Sequence, residues 1–435
     1  MKKILVVLLG FCCLQVAAQP RLSLTDAINT ALKNSYDIQL AKNNLEIANT
    51  NNNIGIAGGL PTVTGTANDQ EQITTINQAY TDASRDTKRS NVGANNLTVG
   101  VTGSMVLFNG WRVVATKKRL EELEKLNQQL LNAQIQNTIA GVMAKYYDVV
   151  RQQTYRQTIM QSIDLSKQRL DLIQVRKDVG LANNADLFQA QLDLNALVQS
   201  LQNQDLVIGQ AKTDLQSLIF VQPDTTIILT DTVITIDPAI SLDEIRAGIK
   251  NNPQLIAAGM QVNINELIER ETAAQRYPTV RATTGYNFVS SKSAAGFSLL
   301  NQSYGPFLGL NVSVPIYNGG VFKRQQKVAE INTRNAAIAR DNIYFDFENS
   351  AMRSYQAYIN ALQQLKTEQQ NYDLSKQLVN IVLERFKQGV GTIVDVKLAQ
   401  QTFENEGYRL VNLNYAAKAA EIELRRVSGK LAPQQ

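Results

Sequence analysis

The chain has 435 residues, 44% hydrophobic and 19% charged, with 43 Lys and Arg against 38 Asp and Glu, no histidine and two cysteines. Both cysteines, Cys12 and Cys13, lie in an apolar N-terminal stretch that reads as removable, so the mature chain is expected to hold neither Cys nor His. That excludes a disulfide framework, a thiol nucleophile, a zinc site and imidazole acid–base chemistry, and no cofactor is expected.

Met1-Lys2-Lys3, an apolar run and the small residues at Val16-Ala17-Ala18 read as a secretory signal over residues 1–18. Phe11 and Cys12 stand where lipidation of Cys12 or Cys13 needs a small residue, so a lipid anchor is not expected. Without Lys2 and Lys3 the balance falls to about 41 against 38, spread along the chain, and no nucleic-acid patch results. No other segment has the 18 to 20 apolar residues of a membrane helix. An exported chain of this kind is soluble or is inserted by alternating β-strands.

The chain repeats itself. Asp164-Leu165-Ser166-Lys167-Gln168 recurs as Asp373-Leu374-Ser375-Lys376-Gln377, an offset of 209, and the same offset carries Gly180 to Gly389, Asp186 to Asp395 and Leu107-Phe108-Asn109-Gly110 to Ile316-Tyr317-Asn318-Gly319. Upstream the offset becomes 217, with Pro61-Thr62-Val63 falling on Pro278-Thr279-Val280. Correspondence at a fixed offset over more than a hundred residues indicates duplication. The first repeat is placed at 19–222, a linker at 223–240, the second repeat at 241–430 and a tail at 431–435.

Each repeat is expected to open with a helix, about Leu24 to Ile56 and Leu242 to Gln275. A strand hairpin follows (60–108 and 277–317), then a long helical hairpin (110–220 and 320–428). In the strands, Val99, Val101 and Met105 alternate with Thr98, Thr102 and Ser104, while Leu308, Leu310 and Val312 alternate with Gly309, Asn311 and Ser313. Period two with one apolar face fits a strand between lipid and water, and equally a soluble sheet packed on one side. Long polar loops are expected at about Asp69 to Ala94 and Ser290 to Tyr304. The opposite connections pass directly into helices through Pro61, Asn109-Gly110, Pro278 and Asn318-Gly319. Four strands cannot close a membrane barrel, so spanning requires several chains.

The helical spans lack proline, and Leu131, Ile135, Ile139, Val142, Tyr146 and Val149 recur at steps of three and four among polar residues, a narrow coiled-coil seam. The span from Gly110 to Val179 amounts to roughly 105 Å of helix. Gly180 and Gly389 read as left-handed turn positions. Thr392 and Asp395 form a capping-box pattern, with Asn183 and Asp186 as its counterpart.

With these residues in view the chain resembles the TolC-like outer membrane efflux proteins over nearly its whole mature length. The resemblance rests on the duplicated helix–hairpin–helix unit, the run opening at Ser23 with its copy at Ser241, Tyr-Pro-Thr-Val at Tyr277, Val-Pro-Ile-Tyr-Asn-Gly-Gly at Val314, and Gly-Val-Gly-Thr-Ile-Val-Asp-Val at Gly389. It implies a mainly α fold with a β-barrel part: a homotrimer in which each chain gives four strands to a 12-stranded outer-membrane barrel and its helices to a periplasmic α-barrel. It further implies a passive duct, not an enzyme, set in outer-membrane lipid and partnered by a periplasmic adaptor (membrane fusion) protein and an inner-membrane pump of RND or ABC type. Asp395 matches the first of the family's two gate aspartates, with Asp186 as a second candidate. Leu398 stands where the other aspartate would be, so helix capping remains the competing role. The turns at Gly180, Gly389 and Gly391 are candidate adaptor contacts. A secreted coiled-coil scaffold is the other reading, and it has no use for strand hairpins. A carboxylate glycosidase is disfavoured by an aromatic content of 6%.

Overall fold

The computed structural model describes residues 21–222, 227–294 and 298–431. The signal expected over 1–18, with Cys12 and Cys13, lies outside the described residues, as do parts of the linker and tail. In chain order the elements are β1 (Arg21–Leu22), α1 (Leu24–Asn34), α2 (Tyr36–Asn51), β2 (Thr62–Gln78), β3 (Thr87–Phe108), α3 (Arg112–Asp178), α4 (Asn184–Ile219), β4 (Ile228–Leu229), α5 (Leu242–Ile249), α6 (Pro253–Ala273), β5 (Thr279–Ser293), β6 (Leu300–Ser313), α7 (Val321–Lys387) and α8 (Ile393–Val427). The fold is mainly helical, with one antiparallel sheet in the order β2-β3-β5-β6 and a short parallel pair β1-β4, as the expected fold class requires. The chain divides into two compact units, one from the described residues of Met1–Ala41, Leu131–Leu255 and Tyr344–Gln435, the other from Lys42–Leu130 and Ile256–Ile343. Each unit therefore draws on both repeats.

The first unit is built on the helical seam. Val142, Tyr146 and Val149 of α3 are fully buried and meet Leu215 and Ile219 of α4 and Ile422 of α8. Each such side chain removed from water contributes about 1.5–3 kcal/mol. The Tyr146 hydroxyl donates to the Leu22 carbonyl at 3.2 Å, tying β1 to α3, while Ile227, Leu229 and Leu431 join the same core.

The ends of α4 and α8 keep the duplication to the level of single hydrogen bonds. Phe220 and its counterpart Gly429 both take left-handed φ, 56° and 70°. The next N–H reaches five residues back in each case, from Val221 to Gln216 O at 3.0 Å and from Lys430 to Arg425 O at 2.9 Å. These contacts satisfy carbonyls the helix leaves open.

Both opening helices, expected to run unbroken, are interrupted. Ser35 ends α1 and its Oγ accepts the Ile38 N–H at 3.4 Å, since a short hydroxyl side chain competes for backbone donors. In the second repeat Pro253 supplies the break, because proline lacks an N–H and turns the residue before it away from the helical region. Asn252, 4% exposed, uses that turn twice. Its Nδ2 donates to the carbonyls of Arg426 and Val427 at 3.1 and 3.0 Å, closing α8, and its Oδ1 accepts the Gln254 N–H at 2.9 Å, opening α6.

In the second unit β2 and β3 pair from Thr62↔Ser104 to Gln78↔Thr87, with a bulge between Thr74 and Ile76. The expected polar loops are therefore mostly strand: the first connection shrinks to residues 79–86, and in the second hairpin β5 runs to Ser293 and β6 starts at Leu300. Asp69-Gln70-Glu71-Gln72 shows no alternation because both faces there are polar, yet ladder bonds need only backbone, and the β-branched run Ile73-Thr74-Thr75-Ile76 favours extension. Register places Val63, Val101, Tyr286, Leu308 and Leu310 on one face and Thr64, Thr102, Thr283 and Asn311 on the other.

Asn252→Ala removes three bonds from a buried site. It is expected to cost about 2 kcal/mol, read as a lowered helix-melting temperature by circular dichroism with unchanged secondary-structure content at 25 °C.

Candidate functional site

The residues singled out by sequence fall in two places, the helical tips of the first unit and the strand-to-helix corners of the second. At the tips, α3 gives way to α4 and α7 to α8 through matching turns. Gly180 and Gly389 have φ of 78° and 80°. Their N–H groups reach Lys177 O and Phe386 O at 2.9 and 3.1 Å, and the following Leu181 and Val390 N–H groups reach Arg176 O and Arg385 O at 2.7 and 3.0 Å. Nothing lies within 4 Å of where a Cβ would stand on either glycine, so backbone conformation alone selects it. Gly391 has ordinary φ, and a Cβ there would press on the Phe386 nitrogen at 3.2 Å.

Both aspartates complete capping boxes. Asn183 Oδ1 accepts the Asp186 N–H at 2.8 Å and Thr392 Oγ1 accepts the Asp395 N–H at 3.1 Å, while the carboxylates accept from the Asn183 and Thr392 N–H groups at 3.4 and 3.0 Å. The backbone and hydroxyl bonds of Thr392 hold the Asp395 carboxyl below the usual range, so it is ionised at neutral pH. Each carboxylate bonds to its own cap; what brings the two tips together is Arg176, which donates to Phe386 O at 3.1 Å and lies 4.7 Å over the Phe386 ring. Beneath them Ile173, Leu187, Leu383 and Val396 form a small core.

Sequence reasoning missed three features here. Val179, Leu181, Val390 and Val394 are apolar and well exposed around the two turns. Arg169 is 1% exposed and donates to Asp193 at 2.7 Å, a carboxylate also bound by Lys397 at 3.0 Å, which joins α8 to the α3–α4 pair. Burial raises the Asp193 carboxyl, but the bonds from Lys397 and Gln189 and the Arg169 charge outweigh it, and the group stays below the ordinary range. Further along α7 and α8, Glu368 and Glu406 face each other, with Arg409 3.6 and 3.7 Å from their outer oxygens. Burial first, then the Glu406 carboxyl, pushes Glu368 up to about 7. At the 209 offset these two glutamates fall on Ile159 and Leu197, so a comparison of the repeats reveals carboxyls standing where the other copy is apolar.

At the corners, Pro61 and Pro278 precede β2 and β5, while Asn109-Gly110 and Asn318-Gly319 precede α3 and α7. Asn109 Oδ1 accepts the Val113 N–H at 3.3 Å. A Cβ on Gly110 would meet the Ala274 carbonyl and the Tyr277 Cβ, each at 2.8 Å. Trp111 has φ 66°, where the other repeat places Gly320 at 71°, and its ring meets Phe108 edge-on at 6.1 Å.

No helix among the described residues is long and apolar enough to cross a membrane, and no group of three or more metal-binding side chains occurs among them. The outer membrane efflux protein model matches residues 27–220 and 245–430, and the chain belongs to that family, a family of channel proteins. Its place in the outer membrane follows from that membership. It is similar to the outer membrane protein TolC of Escherichia coli (20% identity over 374 residues, 82% of this chain and 73% of that one) and to toxin and drug export protein A of Aggregatibacter actinomycetemcomitans (21% over 353 residues, 79% and 76%). Among solved structures it shares the fold of the outer membrane protein VceC of Vibrio cholerae, at a TM-score of 0.76 with 17% identity, covering 93% of this chain and 96% of that one.

Two outcomes follow from this geometry. Gly389→Ala forces a Cβ into left-handed φ and is expected to cost about 1 kcal/mol, read as faster amide exchange confined to the α7–α8 turn. Glu368 is held protonated above its ordinary 4.5 in the fold, so its stabilisation is full below that value and is lost as pH rises through about 7. The loss is on the order of 3 kcal/mol. Amide exchange of the α7–α8 pair should speed up between pH 5 and 8 beyond the intrinsic rate, and Glu368→Gln should flatten that trend.

Proposed function

We propose that the chain forms a homotrimeric exit duct in the outer membrane, each copy giving β2, β3, β5 and β6 to a 12-stranded barrel and its helices to a periplasmic α-barrel. The observation that carries the reading is the uncovered apolar face of the sheet. Leu308 and Leu310 are 84% and 71% exposed, and among the described residues β2 and β6 are each paired on one side only. From Tyr304 to Val312 the apolar residues of β6 span nine positions. At about 3.3 Å each and a tilt of about 40° they rise about 23 Å, close to the roughly 25 Å apolar belt of outer-membrane barrels. Open edges are not tolerated in lipid, so each β6 pairs with the β2 of a neighbouring copy. A secreted coiled-coil scaffold offers no cover for this face.

The tips then serve two purposes. Val179, Leu181, Val390 and Val394, presented around Gly180, Gly389 and Gly391, form a surface suited to a periplasmic adaptor, which links the duct to an inner-membrane pump. Asp395, ionised and exposed, contributes one carboxylate per copy to a ring at the narrow end and favours cations there, with Asp186 in the same position on the other hairpin. Leu398, 57% exposed, leaves that ring single.

The test is membrane fractionation followed by SDS gels of unheated and heated samples. A band of three chain masses in the outer-membrane fraction that collapses to 48.2 kDa or slightly less on heating is the expected result. A soluble monomer would end the proposal.

A further inference from the structure

Along the sheet, charge is distributed by face. Over Thr62–Thr74, Val92–Phe108, Thr279–Ser293 and Leu300–Ser313 the charged residues are Asp69, Glu71, Arg281 and Lys292. Register puts three of them on the apolar face, toward the hairpin ends of the strands: Asp69 opposite Leu97, Glu71 opposite Asn95, and Lys292 opposite Leu300. Arg281 alone falls on the hydroxyl- and amide-rich face, level with Val106 on β3 and Asn311 on β6. Both neighbouring strands belong to the same chain, so these surroundings do not depend on how copies associate. Arg281 is exposed, and among the described residues no carboxylate pairs with it.

An arginine held on a polar face two residues into its strand needs a reason. Lipid headgroups do not supply one, because the side chain leaves the sheet on the side away from the apolar residues. Packing does not supply one either, since the position is open. What remains is water inside the barrel. Resting on the trimeric duct reading above, we propose that Arg281 forms a ring of three positive charges inside the barrel that selects for anionic solutes, making it a specificity-determining residue for what the duct passes.

Dimensions decide whether such a ring matters. Twelve strands about 4.8 Å apart, tilted about 40°, give a backbone radius of roughly 12 Å. An arginine reaches about 6 Å inward, leaving its charge about 6 Å from the axis. The Debye length at physiological salt is about 8 Å. The field of the ring therefore covers the whole cross-section, and a passing solute cannot avoid it by keeping to the centre. Asp395 carries the opposite sign at another constriction, so bulk ion selectivity mixes the two; a local probe separates them.

The probe is a single cysteine at Asn311, directly across from Arg281. The mature chain supplies no competing thiol. Outer membranes carrying Asn311→Cys are treated separately with a sulfonate-bearing and a trimethylammonium-bearing methanethiosulfonate, and the ratio of the two rates is measured. Replacing Arg281 with Gln in that background is expected to lower the anion-to-cation rate ratio about three- to tenfold at 0.15 M salt, whereas Arg281→Lys preserves it. A ratio indifferent to Arg281→Gln overturns the assignment and leaves the duct standing. Failure of both reagents to reach Asn311→Cys in intact membranes removes the water-filled lumen itself, and the proposal with it.

Discussion

A four-stranded antiparallel sheet with one face apolar and both outer edges unpaired is not a resting state in water. Edge strands present rows of unmet N–H and C=O groups, and an uncovered face of Leu, Val and Tyr presents several hundred Å² of oil to solvent. Among the described residues β2 and β6 find no second partner strand, and the helical seam of the first unit is spent on other helices. Val142, Tyr146 and Val149 are consumed by α4 and α8. In the proposed duct the sheet is completed by lipid on one side and by other copies at its edges, and the remaining features of the molecule accommodate that requirement.

The helices meet it with a narrow seam. A wide apolar stripe would collapse the helices into a closed bundle, whereas a narrow seam lets each touch neighbours along its edges and leave the rest wet. Asn and Gln together number roughly 80 in the sequence, and in the proposed duct they are polar enough for water on either side of a wall and carry no fixed charge to repel a solute. The ends of the helices are closed locally, by left-handed turns at Gly180, Gly389, Phe220 and Gly429 and by reciprocal caps at Asn183 and Thr392. The end of α8 is the exception, its last carbonyls being met by the Asn252 side chain.

What sequence made legible follows from this economy. The long helices, the seam, the tip glycines and both capping boxes were readable because each is a local rule: period, αL demand, a side chain reaching three residues on. The breaks at Ser35 and Asn252 were harder, since a serine or asparagine inside a helical pattern is often tolerated and only the adjoining ends of other helices decide. The upper halves of β2 and β3 were invisible because polar residues occupy both faces and the period vanishes. The charged groups inside the helical unit, Arg169 with Asp193 and Glu368 with Glu406, were missed although subtraction of the repeats exposes the glutamates against Ile159 and Leu197. A duplicated sequence advertises what is shared, and function concentrates in what differs.

The corner at Trp111 carries one such difference. A bulky residue in left-handed φ costs about 1–2 kcal/mol, and the other repeat avoids that cost with Gly320. Trp111 is also the only tryptophan in the chain, and it is 72% exposed. The tryptophan emission of this protein, excited selectively at the red edge where its tyrosines do not absorb, therefore comes from a single known place, the corner where strand becomes helix. A blue shift on moving from detergent micelles to bilayers, or quenching by brominated acyl chains, reads the depth of that corner directly, with no label and no second tryptophan to subtract.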